Sequence, residues 1–567
     1  MKRKPIAIGV EDYKRIIDKN CYYVDKTLMI KDILDKGSLV NLFTRPRRFG
    51  KTLALSMIKT YFEQELDVSG EQTDNSHYFA GMKIQQAGTE YAAHMGKYPV
   101  ISLSLKSAKQ PDYEMAYKQL LKELIGEFKR HRYILGKGAL LQSEEKIYSD
   151  IMNGEAEQAE YVTALKFLSD CLKAYHKRNV IILIDEYDVP LENAYFRGFY
   201  DQMVDFIRSL FESALKTNDS LEFAVVTGCL RISKESIFTG LNNLNINSIL
   251  DQTYAEYFGF TQEEVNQMLT DYGLESKTEE VKEWYDGYLF GNTEVYNPWS
   301  LINYVDKGIS NEKAFPKPYW SNTSSNRVVR HLIEQADDSV KEEIEHLIQG
   351  GSIERAVHEE ITYEDIYKTP DNLWNFLFFT GYLKKIEERQ EERNIYLKLA
   401  IPNEELLYIY ENTVREWFNE RIQARDLSAL FQGILQGNAE VIQTELSSLL
   451  LNSISYMDSY ENFYHGFLLG ILMNLNGYKV TSNKEAGDGR YDISIEGLDG
   501  LKIPVIIEFK VADKRPKLIP KTEQALKQIT DNRYDVPFIE DGYEECIHIG
   551  IGFCRKMCRV KCEMVEL

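Results

Sequence analysis

Four short apolar runs, separated by long segments, constrain the fold of this chain more than any other feature of its sequence. The runs lie at residues 39–43, 100–105, 180–184 and 222–226. Each has the length of a buried β-strand, and the segments between them have the character of helices. Strands that alternate with helices in this way predict an α/β fold, in which helices cover both faces of a parallel sheet.

The length and the charge of the chain limit what kind of protein it can be. Its 567 residues correspond to about three or four domains at roughly 150 residues each. A formal net charge of −21 argues against a surface coated in basic residues for nucleic acid. Residues 501–534 nevertheless carry eight Lys and Arg against four Asp and Glu. This stretch is consistent with a local basic channel or with an ordinary solvated face.

Neither a signal segment nor a membrane span is evident in the sequence. No apolar segment follows the basic residues at the start of the chain, and no apolar run approaches the roughly 20 residues that span a bilayer. Seven cysteines in a chain of this length do not suggest a disulfide framework. Together these features predict a cytoplasmic protein.

The loop at residues 45–52, Arg-Pro-Arg-Arg-Phe-Gly-Lys-Thr, follows the first apolar run and precedes a helical pattern. At such a junction, backbone N–H groups and the helix N-terminus favour an anion. We expect Gly50, Lys51 and Thr52 to bind nucleotide. Lys51 would reach the β and γ phosphates, and the Thr52 hydroxyl would ligate Mg²⁺. Arg45 stands where such a loop usually begins with glycine, and the Gly-Lys-Thr triplet alone is a weak signal.

Polar residues at the ends of two later runs strengthen this interpretation. The run at 180–184 ends in Asp185 and Glu186. Asp185 would hold the Mg²⁺ shell, and Glu186 would polarise the attacking water. Thr227, directly after the run at 222–226, would face the γ-phosphate from the neighbouring strand. The alternative for each position is an ordinary turn at the end of a strand.

Arg47 and Arg48 lie inside the loop, and two roles are open for them. They could add positive charge beside the polyphosphate, or they could pair with acidic partners at the rim of the sheet. The sequence favours neither role over the other.

Several stretches resemble a prokaryotic family called AAA-ATPase-like, over most of residues 5–400. They lie at residues 23–27, 45–52, 184–188, 237–243, 284–288 and 296–300. In that family Arg-Pro-Arg-Arg-Phe-Gly-Lys replaces the glycine-rich loop, so Arg45 is a family trait. The resemblance implies ATP binding through Lys51 and Thr52, with Asp185 and Glu186 as the second acidic motif.

A second group of charged residues lies near the C-terminus. Asp492 precedes the apolar run at 505–511, and that run contains Glu508 and Lys510. Residues two apart on a strand share a face, so Glu508 and Lys510 point the same way. A charged pair in so apolar a strand is costly unless it is paired or holds a metal. Two carboxylates suit Mg²⁺, and Lys510 would orient the attacking water or neutralise the transition state.

This arrangement resembles the PD-(D/E)XK nuclease superfamily, with Tyr491-Asp492 in place of the Pro-Asp pair. The resemblance implies that Asp492, Glu508 and Lys510 are catalytic and that the two carboxylates hold the metal. Each short motif is a weak signal by itself, and the combination at this spacing is more specific.

Flanking residues add to this second site. The resemblance implies that Glu461, on the first helix of the domain, joins the metal site and that Gln528 lies near the substrate. His465 shares a helix face with Glu461, and a hydrogen-bonded core position is favoured over a catalytic role. The cysteines at 554, 558 and 562 could begin a zinc site, but a final strand with small apolar side chains is the favoured interpretation.

These features predict four parts. They are a P-loop AAA-like ATPase core at 1–254, a mostly helical lid and linker at 255–404, a helical connector at 405–454, and a small restriction-endonuclease-like α/β domain at 455–567. The predicted function is an ATPase coupled to a nuclease that cleaves nucleic acid, with DNA favoured over RNA as the substrate and with ATP and Mg²⁺ or Mn²⁺ as cofactors. The alternative is a nucleotide-switched binding or assembly protein that does not cut. No membrane partner is expected, and a homo-oligomer remains open.

Overall fold

The computed structural model divides the chain into two units, Met1–Ser325 with Ser352–Tyr408 and Asn326–Gly351 with Ile409–Leu567. It describes residues 3–67, 71–231, 237–238, 242–311, 313–320, 338–357, 359, 363, 365–366, 368–423, 426–450, 461–472, 475–487, 489–498 and 502–567. Among the helices of these residues, none has both the length and the apolar character that crossing a membrane requires.

A five-stranded parallel sheet lies at the centre of the first unit. Its strands are β1 Val40–Thr44, β2 Val100–Ser104, β3 Val180–Asp185, β4 Leu221–Gly228 and β5 Leu244–Asn247. Their order across the sheet is β2-β3-β4-β1-β5, and every neighbouring pair is parallel. All residues of β1 and β3 are buried, as expected for a sheet covered on both faces. The predicted α/β fold and its four predicted strands are confirmed.

Helices connect these strands and continue along the unit. The α-helices are Tyr13–Asp18, Leu28–Lys36, Lys51–Phe62, Thr89–Ala92, Tyr113–Arg130, Gln142–Asn153, Gln158–His176, Val189–Arg197, Tyr200–Phe211, Gln262–Tyr272, Thr278–Tyr285, Pro298–Ser310 and Pro370–Phe379. Local capping explains several of their starts: Asp112 accepts a hydrogen bond from the N–H of Met115, and Asn297 accepts one from Ser300. The helix Lys51–Phe62 begins directly after β1 and the loop, where the sequence predicts it.

Residues 255–404 contain more strand than the predicted mostly helical region. The hairpin β6 Tyr288–Phe290 and β7 Thr293–Val295 is followed by an antiparallel sheet of β8 Ile353–Ala356, β9 Lys384–Glu391 and β10 Asn394–Ala400, in the order β8-β10-β9. Most of β9 is exposed, and its sequence Lys-Lys-Ile-Glu-Glu-Arg-Gln-Glu lacks the apolar alternation that reveals a strand. The four-part division itself remains a prediction.

The second unit contains a mixed sheet. Its strands and the short ribbon beside it are β11 Tyr478–Ser482, β12 Glu485–Ala486, β13 Gly489–Arg490, β14 Ile493–Gly497, β15 Val505–Val511, β16 Glu545–Cys554 and β17 Met557–Glu566. The sheet order is β11-β14-β15-β16-β17, and only β15 and β16 are parallel. Cys554 ends β16, and Cys558 and Cys562 belong to the separate strand β17. None of the seven cysteines forms a disulfide.

Helices complete the second unit. They are Asp338–Ile348, Ser428–Gln436, Ala439–Leu450, Glu461–Leu472, Leu518–Asp531 and Val536–Glu540, and the helix Glu404–Gln423 begins in the first unit and continues into the second. The helix Leu518–Asp531 lies against β16 because two glycines remove the side chains between them. A methyl group on Gly550 would come within 2.7 Å of the Leu526 nitrogen, and one on Gly552 within 2.7 Å of the Leu518 oxygen. This close approach requires glycine at both positions.

Candidate active sites

The loop between β1 and the helix Lys51–Phe62 curls around its own lysine. Lys51 is 5% exposed, and its Nζ donates hydrogen bonds to the carbonyl oxygens of Arg45 and Pro46, both at 2.9 Å. Gly50, at the N-cap of the helix, has φ +83°, a conformation that glycine adopts without strain. Arg48 adopts φ +71° without that freedom. The loop thus places a buried cation at the N-terminus of a helix.

Three of the predicted nucleotide-site residues meet beside this loop. Asp185 ends β3, and its carboxylate accepts hydrogen bonds from the hydroxyl of Thr52 at 2.7 Å and from the hydroxyl of Thr227 at 2.6 Å. Asp185 is 5% exposed and Thr227 is 1% exposed. One carboxylate therefore joins the helix that follows the loop to two neighbouring strand ends.

Glu186 and Asp188 follow on the same turn. Glu186 has φ +52°, and burial, with a further contribution from Asp185, raises the pKa of its carboxyl. A strained backbone at such a position often accompanies function. Asp188 is buried and accepts hydrogen bonds from the N–H groups of Cys229 at 2.7 Å and Leu230 at 3.1 Å. Sequence reasoning did not assign Asp188, which holds the chain beyond β4 against the turn that carries Glu186.

Arg45 has a structural position. Its guanidinium donates to the carbonyls of Thr44 at 2.9 Å and Asn247 at 2.7 Å, and it lies over the rings of Phe258 and Phe290. The side chain is fully buried, and burial lowers its pKa to about 9. The residue at the usual glycine position of the loop is therefore bound within the first unit, and it joins the loop to β5.

The other two arginines of the loop also have partners in the first unit. Arg47 forms an ion pair with Glu192, which matches the acidic pairing considered for it. The guanidinium of Arg48 stacks over the ring of Trp299, with 4.3 Å to the ring centroid. Trp299 lies in the stretch 296–300, which the sequence related to the family without assigning it a role.

Aromatic side chains from the β6–β7 hairpin support the same loop. Phe49 is fully buried, with its ring centroid 4.9 Å from that of Tyr288 and 5.1 Å from that of Phe290. Tyr288 ends the stretch 284–288, the second motif without an assigned role. Both motifs therefore pack against the loop, Trp299 on Arg48 and Tyr288 on Phe49, and they fix its backbone from outside.

In the second unit, the three predicted catalytic residues meet. Phe509 donates its N–H to Asp492 Oδ2 at 2.9 Å, and Asp492 donates its N–H to Glu508 Oε2 at 3.2 Å. Lys510 Nζ donates to Glu508 Oε1 at 2.9 Å. The alternation along β15 places Glu508 and Lys510 on one face, as the sequence predicts. The pairing of β14 with β15 brings Asp492 beside them.

Glu508 is a buried acid with an altered pKa. It is 1% exposed, and burial, followed by repulsion from Asp492, raises its pKa to about 7, while Lys510 opposes the rise. The described residues contain no cluster of three or more His, Cys, Asp or Glu side chains that could enclose a metal ion. Two carboxylates still fit Mg²⁺, which commonly binds one or two carboxylates and completes its shell with water and phosphate.

The flanking residues occupy different surroundings. Glu461 begins the helix Glu461–Leu472, but its side chain lies outside the described residues. His465 Nε2 lies 3.2 Å from the carbonyl oxygen of Asp492, and its ring lies near that of Phe509. Gln528 donates to the hydroxyl of the buried Tyr534 at 3.1 Å. His465 therefore contacts the backbone of a predicted catalytic residue, a contact that the sequence did not reveal.

Comparison with known proteins identifies two families and one relative. Residues 7–238 match the family model described as Predicted AAA-ATPase, and residues 459–563 match the PD-(D/E)XK nuclease superfamily. A protein of Azotobacter chroococcum mcd 1, described as an uncharacterized protein in the vnfD 5' region, is 25% identical over 98% of this chain and 97% of its own length. Both family resemblances inferred from the sequence motifs are confirmed, but the ATPase match ends at residue 238, so the stretches at 284–288 and 296–300 lie outside it.

Proposed function

Because this chain carries an AAA-ATPase-like domain and a PD-(D/E)XK nuclease superfamily domain, we propose that it is an ATPase coupled to a metal-dependent nuclease that cleaves nucleic acid. The meeting of Asp492, Glu508 and Lys510 in one hydrogen-bonded group carries this proposal. A site that only bound nucleic acid would gain nothing from two mutually repelling carboxylates, one of them buried in an apolar strand.

In the nuclease site, the oxygens of Asp492 and Glu508 would hold Mg²⁺ or Mn²⁺, with Glu461 as a further candidate ligand. A bound divalent cation would lower the pKa of a coordinated water and neutralise charge on the phosphate. Lys510 places a positive charge beside Glu508, where it would orient the attacking water and stabilise the transition state. His465 would hold the backbone of Asp492 in position, and Gln528 would lie near the substrate.

In the nucleotide site, Lys51 would exchange the carbonyls of its own loop for the β and γ phosphates of ATP. Thr52 and Asp185 already share a hydrogen bond and would hold Mg²⁺ together. Glu186 would polarise the attacking water, and its raised pKa makes it a stronger proton acceptor than an ordinary glutamate.

The remaining residues of the nucleotide site would support phosphate binding. Thr227 would face the γ-phosphate from the end of β4, and Gly50 would offer its N–H group at the helix N-terminus. Arg47 and Arg48 would contribute positive charge only by leaving Glu192 and Trp299. Their ion-paired and stacked positions make that contribution conditional on a rearrangement of the loop.

The test uses full-length wild type, Glu508→Ala and Lys510→Ala. Each protein is incubated with ATP, with Mg²⁺ or Mn²⁺, and with single- and double-stranded DNA and RNA at one defined salt concentration. Wild type should cut, with DNA preferred. Each variant should lose at least about a hundredfold in rate, because the cation or the transition-state charge loses its partner. ATP turnover in the same preparations shows that the first unit is intact.

Glu563→Ala, which removes an exposed glutamate from β17, is the matched control and should cut at the wild-type rate. Absence of cutting by wild type under every condition would remove the nuclease proposal. The acidic net charge of −21 favours one alternative, a nucleotide-switched protein that binds or assembles without cutting. ATP-dependent binding or oligomerisation without cleavage would support that alternative.

A further inference from the structure

One edge of the sheet in the second unit carries a concentration of basic side chains. The segment 512–517 leaves this edge after β15, and the turn 555–556 joins β16 to β17 there. The basic residues here, which we call the basic rim, are Lys510, Lys514, Arg515, Lys517, Arg555 and Lys556. Asp513 is the single acidic residue within these two segments. The rim is strongly positive in a chain with a net charge of −21.

The fold holds the two segments of the basic rim side by side. β15 and β16 are parallel, with Val511 opposite Phe553, so both strands end at the same edge. Ala512 continues the pairing, since its N–H donates to the carbonyl of Phe553 at 2.7 Å. Beyond it, Ala512, Leu518 and Cys554 form a small buried cluster. This apolar contact fixes the basic side chains of one segment beside those of the other.

Most side chains of the basic rim are open to solvent, while Lys510 is half-buried and pairs with Glu508. Lys514, Arg515 and Arg555 are exposed, and Lys556 is half-buried. Lys517 pairs with Asp513 at 2.8 Å. Lys514 and Arg515 form no ion pair within the described part of the chain, and each therefore retains a full positive charge facing solvent. Like charges held together by the fold cost stability unless they serve a binding partner of opposite charge.

We propose that the basic rim binds the sugar-phosphate backbone of the nucleic acid on which the nuclease site acts. This inference rests on the proposed function and assigns its substrate contacts. The rim begins at Lys510 in β15, two residues after Glu508, and Lys514 follows four residues later on the segment that leaves this strand. A backbone held by the rim would therefore lie beside the paired carboxylates. Phosphates at regular spacing match a row of cations, and such contacts carry no base specificity.

The test compares the double variant Lys514→Ala/Arg515→Ala and the single variant Lys556→Ala with wild type in the full-length chain. Binding of labelled duplex DNA, single-stranded DNA and single-stranded RNA is measured by fluorescence anisotropy with EDTA, which prevents cutting, over a salt series. We expect the double variant to bind about tenfold more weakly at physiological salt. Its slope of log affinity against log salt should fall by about 2 for duplex DNA and somewhat less for single strands.

Lys527→Ala is the matched control, because Lys527 is exposed on the helix Leu518–Asp531 but lies toward the end remote from the rim. Its affinity and salt slope should equal those of wild type. If the rim variants keep the affinity and salt slope of wild type, as Lys527→Ala should, the rim does not bind nucleic acid. The proposed cutting function would not be affected by that result. Rim-dependent binding without cleavage would support the rim and remove the cutting function instead. Absence of nucleic-acid binding by wild type would overturn the rim, and the cleavage assay would decide the cutting function separately.

Discussion

The two candidate sites use the same residue types in opposite ways. Each combines acidic residues on or next to buried strands with a lysine. In the first unit, Lys51 bonds to neutral carbonyls and Asp185 to neutral hydroxyls, so the charges are held apart. In the second unit, Lys510 bonds directly to Glu508, and the acids are linked through backbone N–H groups.

In the first site the charged groups bond to neutral groups and not to each other. In the second site Lys510 partly neutralises the charge of Glu508. The dipoles around Lys51 and Asp185 satisfy each ion without cancelling it, which leaves both able to receive a phosphate or a cation. Glu508 is already compensated by Lys510 and disfavoured by Asp492, so its charge depends on pH and on a bound cation. Cation binding by the second site should therefore depend on pH through Glu508.

Lys51→Ala should give the largest effect. Without the buried ammonium, the loop has no cation at the helix N-terminus, and ATP turnover measured as phosphate release should fall at least about a hundredfold. Lys59→Ala, on the same helix, and Lys510→Ala, in the other site, should both retain turnover. If Lys51→Ala retained turnover, the buried lysine would not act on the nucleotide, and the contrast between the two sites would no longer hold.

The pH dependence of cleavage should give an intermediate effect. Glu508, with its pKa raised to about 7, is neutral below that pH and cannot hold a divalent cation. Mn²⁺ affinity, measured by calorimetry, and the cleavage rate should both fall about tenfold between about pH 8 and about pH 6. If the Mn²⁺ affinity did not change over this range, protonation of Glu508 would not control cation binding, and this account of the second site would be wrong.

The melting temperature of the cation-free protein tests the direction of the shift in the pKa of Glu508. Because the folded-state pKa of Glu508 is raised, its stabilising contribution is present below the ordinary carboxyl pKa and is lost as pH rises through about 7. Glu508→Gln should therefore raise the melting temperature of the second unit at about pH 8. It should have little effect at about pH 4.

A smaller effect is expected at Arg48, where the first site stores backbone strain. Its φ of +71° disfavours any residue with a Cβ, and its stacking on Trp299 offsets that cost. Arg48→Ala keeps the strain and loses the stacking, whereas Arg48→Gly also relieves the strain. In denaturant titrations, the free energy of unfolding of the first unit should therefore be about 1 kcal/mol higher for Arg48→Gly than for Arg48→Ala. Equal stability of the two variants would mean that the loop relaxes.

The sequence predicts the parts of both sites that depend on local pattern. Apolar runs located the strands of the parallel sheet, and alternation along β15 placed Glu508 and Lys510 on one face. The position of Asp185 at a strand end placed it near Thr52, since parallel strands present their carboxyl ends at one edge. These inferences need only the period of a strand and the direction of a sheet.

Contacts between distant segments could not be predicted in the same way. The stacking of Trp299 on Arg48 and the packing of Tyr288 on Phe49 join segments more than two hundred residues apart along the chain. The contact of His465 with the carbonyl of Asp492 also depends on tertiary packing, because a backbone acceptor leaves no mark in the sequence. The charged strand β9 was missed because its exposed residues follow no apolar period.

The glycines at 550 and 552 have a further consequence for the second unit. They bring the backbone of the helix Leu518–Asp531 directly onto β16, with no side chain of the strand between them. The segment that carries Lys514 leads into this helix, and the strand that carries Glu508 pairs with β16, so the helix and the sheet hold the two near each other. If the basic rim binds the nucleic acid and the nuclease site cuts it, the cut should fall a fixed number of phosphates from the one bound at Lys514, whatever the bases.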